Sequence, residues 1–404
     1  MKYSPLTFYE PCITIVYTVG RFCAMSKTQR VMDRRDFLTL GITAVPLMCF
    51  GCDRSGGRTD EASASGFPNA IEARFYERTG PSDVQCRVCP RECVIGNGKR
   101  GVCGTRENRD GVLYSLVYGR VASLNVDPIE KKPFYHFLPG SQAYSISTAG
   151  CNMWCKFCQN WQLSQAKPED LPSTTMSPQD VAREAGRYGA RSIAYTYNEP
   201  TVFTEFVYDC AAAGRRVGVH SVVVSNGYIN AEPLAKLCEV ISGYKVDFKA
   251  FSQKFYREVT GGERDNVLAT IKRLKNAGIW MELVHLTIPT LNDGEDDFRA
   301  MGDWLMGEVG PDVPVHFTRF YPMYRLTTLP VTPVSTLERA REILINKGMH
   351  YVYVGNVPGH PANSTYCPHC GDEVIKRIGY RVDTLRLKDG ACSRCGTKIP
   401  GVWS

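Results

Sequence analysis

Cys151-Asn-Met-Trp-Cys155-Lys-Phe-Cys158-Gln-Asn-Trp161 is the stretch on which the reading of this chain turns. Three cysteines stand in one short loop at spacing Cys-x3-Cys-x-x-Cys. A loop that short wraps three thiolates round one corner of a compact inorganic cluster and does not easily supply a fourth. A [4Fe–4S] cluster normally takes four Cys thiolates, so three leave one iron open. An open position is what separates a catalytic metal site from a closed structural one. Zinc knuckles use Cys-x-x-Cys pairs instead. The bland alternative is three buried structural thiols, and cysteines rarely crowd like this without metal or disulfide chemistry.

Around the triplet, from Tyr144 to Val354, short β-branched and aromatic runs alternate with helical stretches. Strands are expected at 144–149, 191–196, 218–224, 244–248, 280–287, 313–320 and 350–354. One helix starts at Ser177-Pro178, an N-cap with Pro at the first helical position. Others are expected over 201–213, 231–242, 264–277, 296–309 and 335–347, with Gly214, Gly278 and Gly348 at C-caps. The alternation argues for parallel β/α winding. Counting alone leaves an open doubly wound sheet and a barrel in competition.

Chemistry in β/α barrels gathers at the C-terminal ends of strands. The triplet follows the first strand, Tyr197-Asn198-Glu199-Pro200 the second, and Ser225-Asn226-Gly227 the third. Asp247 and Lys249 end the fourth, Thr287 to Pro289 the fifth, Arg319 to Tyr321 the sixth, and Gly355-Asn356 the seventh. Asp247-Phe248-Lys249 puts two opposite charges on the same side of one strand end.

In this order the motifs resemble the radical S-adenosylmethionine (SAM) enzymes related to pyruvate formate-lyase activating enzymes. Further features tighten the match: Asp127-Pro-Ile-Glu-Lys-Lys-Pro133, Val354-Gly-Asn-Val-Pro-Gly359 and the flanking cysteine modules. That set is similar to the AmmeMemoRadiSam system radical SAM enzyme, from about residue 70 to the end. The resemblance implies a partial (β/α)6-type radical SAM barrel, with the seventh strand as an extension. It implies a [4Fe–4S] cluster on Cys151, Cys155 and Cys158. The open iron would bind SAM and cleave it reductively to a 5′-deoxyadenosyl radical, which abstracts hydrogen from a protein or small-molecule substrate.

The resemblance places Asn198 and Glu199 near the SAM amino group, where the family usually has Gly-Gly-Glu; Tyr-Asn-Glu departs from that pattern. It places Ser225, Asn226, Asp247 and Lys249 near the ribose and carboxylate. The charges fit, since a cationic amino group wants a carboxylate and a carboxylate wants a cation. The plainer alternatives are a helix N-terminal acid for Glu199 and an ordinary surface ion pair for Asp247 and Lys249. Trp154 and Phe157 read as packing that shields the cluster. Memo-like and AMMECR-like proteins are the implied partners, with a low-potential electron donor. The rival classes are an iron–sulfur electron-transfer protein without SAM cleavage and a zinc-dependent binding module.

Two further cysteine groups flank this region. Cys86-Arg-Val-Cys89-Pro-Arg-Glu-Cys93 and Cys103 form an N-terminal four-thiol set, for which zinc or a second iron–sulfur cluster would both fit. Cys367-Pro-His-Cys370 and Cys392-Ser-Arg-Cys395 form two knuckles that read as a structural zinc-ribbon-like site, with a rubredoxin-like iron site as the alternative. His369 reads as a spacer. The charges between Asp127 and Pro133 read as a surface or interface loop.

The chain has 404 residues, 43% hydrophobic and 22% charged, so it is globular and longer than one ordinary domain. Net charge is +7 with no Lys/Arg block of five or more, which gives no support to a nucleic-acid stripe. Seventeen cysteines in short groups point to metal binding and folding under reducing conditions. Asp33-Arg34-Arg35-Asp36-Phe37-Leu38 and the apolar run to Phe50 resemble a twin-arginine signal, which suggests the bacterial envelope or export, with the cytoplasm as the alternative. The expected organisation is an upstream extension at 1–31 carrying Cys12 and Cys23, the signal at 32–52 and a linker at 53–69. A Cys-rich module at 70–143, the barrel at 144–358 and the ribbon at 359–404 follow.

Overall fold

The computed structural model describes Phe67 and residues 69–404. The upstream extension, the twin-arginine-type signal and nearly all of the linker lie outside the described residues. Among the described residues no helix is long and apolar enough to cross a membrane, and every cysteine is free.

Seven parallel strands share one sheet in their order along the chain. They are Gln142–Ser147, Ser192–Tyr195, His220–Ser225, Gly243–Asp247, Trp280–Thr287, Val315–Arg319 and Val352–Gly355, the first to the seventh strand below. Sequential order rules out the doubly wound sheet, whose strand order reverses at a switch point. Ser123–Pro128 pairs antiparallel with the first strand and forms one edge; the seventh strand forms the other. Both faces are buried, so the strands read as near-continuous apolar runs. One face packs under the helices. The other is closed at one end by Ile129, Phe134, Phe137 and Leu138 against Ala143, Ala194 and Val222.

All the expected strands and helices form. Ser177 caps Pro178–Arg187 in a reciprocal capping box with Asp180. Two sequence readings are corrected. Gly214 does not end its helix, which runs Thr204–Arg216. A Cβ there would meet Ile193 and the Val219 carbonyl at about 3 Å, so the missing side chain serves helix–strand packing; Gly218 takes the left-handed turn instead. The charges of 127–132 are not a surface loop either. Asp127, Glu130 and Lys132 are buried, because the segment folds back over the sheet and each charge finds a partner there.

The N-terminal Cys-rich region builds two small antiparallel sheets over Ala73, Val84, Val88, Ile95 and Leu113. Near the C-terminus Thr365–Tyr366, Glu373–Ile378 and Arg381–Leu385 form another, packed on Tyr135, Tyr351 and Tyr353.

Candidate active site

The triplet loop leaves the C-terminal end of the first strand and is held from three sides. From below, Asn198 receives Thr148 N–H on its side-chain oxygen (3.2 Å). Its amide nitrogen donates to the carbonyls of Ala149 and Gly150 (both 3.0 Å). From the side, Trp154 and Lys156 N–H groups donate to Thr260 and Val259 carbonyls (both 3.0 Å). Gly261 and Gly262 make this contact fit, since a Cβ on either would stand within 2.4 Å of Trp154 or Met153 side-chain atoms. From above, Arg91 of the N-terminal module donates to the Asn152 carbonyl (3.0 Å) and the Gly261 carbonyl and stacks over Trp154 at 4.1 Å. Phe157 is buried as expected, whereas Trp154 stays 42% exposed beside Arg91.

Glu199 is 3% exposed at the end of the second strand. Its Oε1 accepts Thr201 N–H (3.0 Å), Thr201 Oγ1 (2.7 Å) and Ser225 Oγ (2.7 Å); its Oε2 accepts only Asn226 N–H (2.8 Å). A carboxylate has about four acceptor sites, so Oε2 keeps capacity for one more donor. Burial pushes the Glu199 carboxyl up, and these donors oppose it. The Asn226 side chain donates to Asn152 (2.9 Å) and reaches Cys151 Sγ at 3.8 Å, which ties the third strand end to the triplet.

Tyr197 sits at φ 68°, the left-handed region that a glycine adopts freely. The chain therefore keeps a glycine-like turn with a tyrosine in it. Such strain costs of order 1–3 kcal/mol and persists only where the surroundings enforce it. Here the Tyr197 hydroxyl donates to Asp127 (2.5 Å) and its ring lies 4.3 Å from the Lys132 ammonium.

At the fourth strand end Lys249 Nζ donates to Asp247 Oδ2 (3.2 Å) and Lys245 donates to Oδ1. Burial would raise Asp247; the two lysines outweigh it and hold the carboxyl down at about 2. Lys249 is raised although burial opposes it, because Asp247 and Cys155 both face its ammonium. Lys249 also lies 5.5 Å from the Phe157 ring. With side chains 11% and 31% exposed, Lys249 and Asp247 are not a surface pair.

The structure thus brings Cys151, Cys155, Cys158, Asn198, Glu199, Ser225, Asn226, Asp247 and Lys249 to one rim of the sheet. The sequence reading missed Arg91, Gly261, Gly262, Lys132 and Lys245. The Gly-Gly pair was a signal for close approach; Arg91 gave none, because its partners lie 61 and 170 positions away, and Lys132 and Lys245 read as ordinary charges although Asp127 and Asp247 stand close by in sequence.

The donor set fits an iron–sulfur cluster better than a single ion. Among the described residues, Cys367, Cys370, Cys392 and Cys395 are the group whose ligand atoms all lie within 4.8 Å of one another. The triplet supplies three thiolates, one short of a closed four-thiolate site, which suits a [4Fe–4S] cluster with one open iron. At the C-terminal set Cys367 and Cys395 Sγ are 3.6 Å apart, and Cys370 and Cys392 Sγ 3.8 Å.

Comparison with known proteins bears on the family. The radical SAM superfamily profile matches residues 145–305. An uncharacterized protein of Methanocaldococcus jannaschii is 44% identical over 330 residues, 81% of this chain and 98% of that protein. Pyruvate formate-lyase 1-activating enzyme of Escherichia coli (strain K12) is 23% identical over 217 residues, 49% of this chain and 87% of that protein. Among solved structures, Streptococcus suis SuiB bound to S-adenosylmethionine aligns with a TM-score of 0.42 at 13% identity, over 56% of this chain and 53% of that chain. The chain is an enzyme, and it belongs to the radical SAM superfamily.

Proposed function

We propose that this enzyme uses Cys151, Cys155 and Cys158 to hold the [4Fe–4S] cluster that the family implies, and that it acts on a protein or small-molecule substrate within an AmmeMemoRadiSam system, with Memo-like and AMMECR-like partners. When bound, the cluster and SAM supply reductive cleavage to a 5′-deoxyadenosyl radical, which takes a hydrogen atom from substrate. The observation that carries the reading is the convergence of Glu199 and Lys249 on the triplet from two separate strand ends.

The residues divide the work by charge. Glu199 Oε2, with one donor already seated, accepts from the SAM ammonium. Ser225 and Asn226 fix the rotation of that carboxylate and flank the ribose. Lys249 has donors to offer the SAM carboxylate, and Asp247, held ionised by Lys245, accepts from ribose hydroxyls. Asn198 is a positioning residue: its amide is committed to the loop that presents Cys151. Phe157 keeps water from the cluster side. The parallel strands would curl into the partial barrel that surrounds this rim. At the far end of the chain, Cys367, Cys370, Cys392 and Cys395 hold a structural zinc.

Anaerobically reconstituted, reduced protein mixed with SAM should release 5′-deoxyadenosine. Glu199→Gln should weaken SAM binding by about tenfold to a hundredfold, one charge-assisted contact being lost, with iron content unchanged. An intact, SAM-unresponsive cluster in the unmodified protein would instead favour the electron carrier. Deuterium appearing in 5′-deoxyadenosine from a labelled Memo-like partner would identify the substrate.

A further inference from the structure

Cys86, Cys89, Cys93 and Cys103 line one cavity, together with Val88, Ile95 and Arg106. A single zinc draws each thiolate to about 2.3 Å, and among the described residues it is the C-terminal four whose ligand atoms gather within 4.8 Å of one another. A cubane carries each thiolate on a different iron, so its ligands stand apart around a filled centre.

One wall carries a buried donor that no partner among the described residues satisfies. Arg106 lines the cavity with a side chain 2% exposed. Its two terminal nitrogens are engaged by Glu205 (2.9 and 2.7 Å), but its Nε is buried with no partner among the described residues. An unpaired buried donor costs about 1–3 kcal/mol, and a sulfide or thiolate in the cavity would relieve it. Backbone N–H groups of Val88 and Arg91 also face the sulfurs of Cys86 and Cys89.

The cavity adjoins the active site. Asn152, the residue after Cys151, lines it, hydrogen-bonds toward Cys89 and accepts from Asn226 (2.9 Å). Gly150 packs so tightly on the module that a Cβ would stand 2.6 Å from the Cys103 carbonyl.

We propose that Cys86, Cys89, Cys93 and Cys103 hold a second, fully ligated [4Fe–4S] cluster, which passes single electrons to the triplet site. With every iron on a protein thiolate, no position is left for SAM or substrate. Its chemistry is one-electron transfer: it takes one electron from a low-potential one-electron donor, which is oxidised, and gives one electron to the triplet cluster, which is reduced. No bond is made or broken. The cluster assignment stands apart from the function proposed above; the relay role rests on it.

Reconstituted protein should contain about eight irons and eight sulfides per chain, four for each cluster. The Cys151→Ala/Cys155→Ala/Cys158→Ala protein leaves the second site untouched and should keep about half of both. Its reduced electron paramagnetic resonance signal should not respond to SAM. The Cys89→Ala/Cys103→Ala protein should keep the other half, with a SAM-responsive signal, and its cluster should be reduced more slowly by reduced methyl viologen. An iron-free triple variant, or one carrying zinc at the N-terminal set, overturns the assignment. An unchanged reduction rate overturns the relay alone. A SAM-unresponsive triplet signal beside an intact second cluster refutes the SAM reading and leaves this one standing.

Discussion

Four cysteines near each end of the described chain meet opposite fates. The C-terminal four stand with sulfurs 3.6 and 3.8 Å apart in cross-pairs, close to the edges of a tetrahedron around one zinc. The N-terminal four ring a cavity with a buried arginine in its wall. Residue type does not distinguish them. What does is the support. Each C-terminal pair sits on its own tight turn, closed by Gly371 and Gly396 at φ 72° and 78°, and the two turns face each other. In the N-terminal set, Cys86 to Cys93 form one loop, while Cys103 is brought in on a segment pinned by the parallel unit through Arg106 and Glu205. Local turns make a small site; tertiary contacts hold a wide one open.

The largest expected effect tests the local side of that contrast. Cys370→Ser/Cys392→Ser should abolish zinc binding and unfold residues 365–398. Structural zinc contributes on the order of 10 kcal/mol in comparable small modules. Zinc analysis and hydrogen exchange would show it, with iron content unchanged. If iron falls in parallel, the two sets are not independent and the contrast fails.

Next in size is the support of the wide site. Arg106→Met leaves Glu205 charged in a fully buried place with the Arg74 N–H (3.2 Å) but no cation against it, which should cost about 3–5 kcal/mol. Replacing both partners, Arg106→Met/Glu205→Leu, should restore most of that stability, because apolar replacement of a buried pair is often neutral. Thermal melts of the three variants measure this. If the double variant is as unstable as the single, the pair does more than fill and neutralise its space.

Much of this was legible before any coordinates. Alternating runs fixed strands and helices, since a strand buried on both faces and a capped helix carry their own signatures. The triplet, Glu199, Asp247 and Lys249 could be found because strand ends recur in order. The cavity that Cys86, Cys89, Cys93 and Cys103 share with Arg106 could not, because Arg106 is held there by Glu205, 99 positions away. The burial of Asp127 and Lys132 escaped for the same reason: a run of charges looks solvated until Tyr197 arrives from another strand.

A third, smaller effect joins the wide set to the active site. Gly150 has φ 87°, and a Cβ would meet Thr105 Cγ2 at 2.4 Å. Gly150→Ala should cost about 2–4 kcal/mol, combining left-handed strain with overpacking. It should disturb the signals of both iron sites while zinc stays bound. Damage confined to the triplet signal would separate the two iron sites.

The most gradual effect concerns acid, and it too divides the ends. No histidine lies within residues 70–120, which carry the N-terminal cysteines. The C-terminal module rests on His136, which bonds the Pro400 carbonyl (2.7 Å) and Tyr353 hydroxyl (2.6 Å) and packs beside Trp403. Burial lowers His136 from 6.5 to about 4, opposed by Glu282 and aided by Arg377 and His316. Between those values the unfolded chain binds a proton that the folded chain does not. Stability should therefore fall as pH drops from about 6.5 to about 4, by up to about 1.4 kcal/mol per unit, and level off below. Hydrogen exchange should show the loosening around 365–403 and not around 84–106. In His136→Gln protein, which has no proton to gain, that part of the slope should vanish. Equal loosening at both ends would mean that acid acts through the shared sheet.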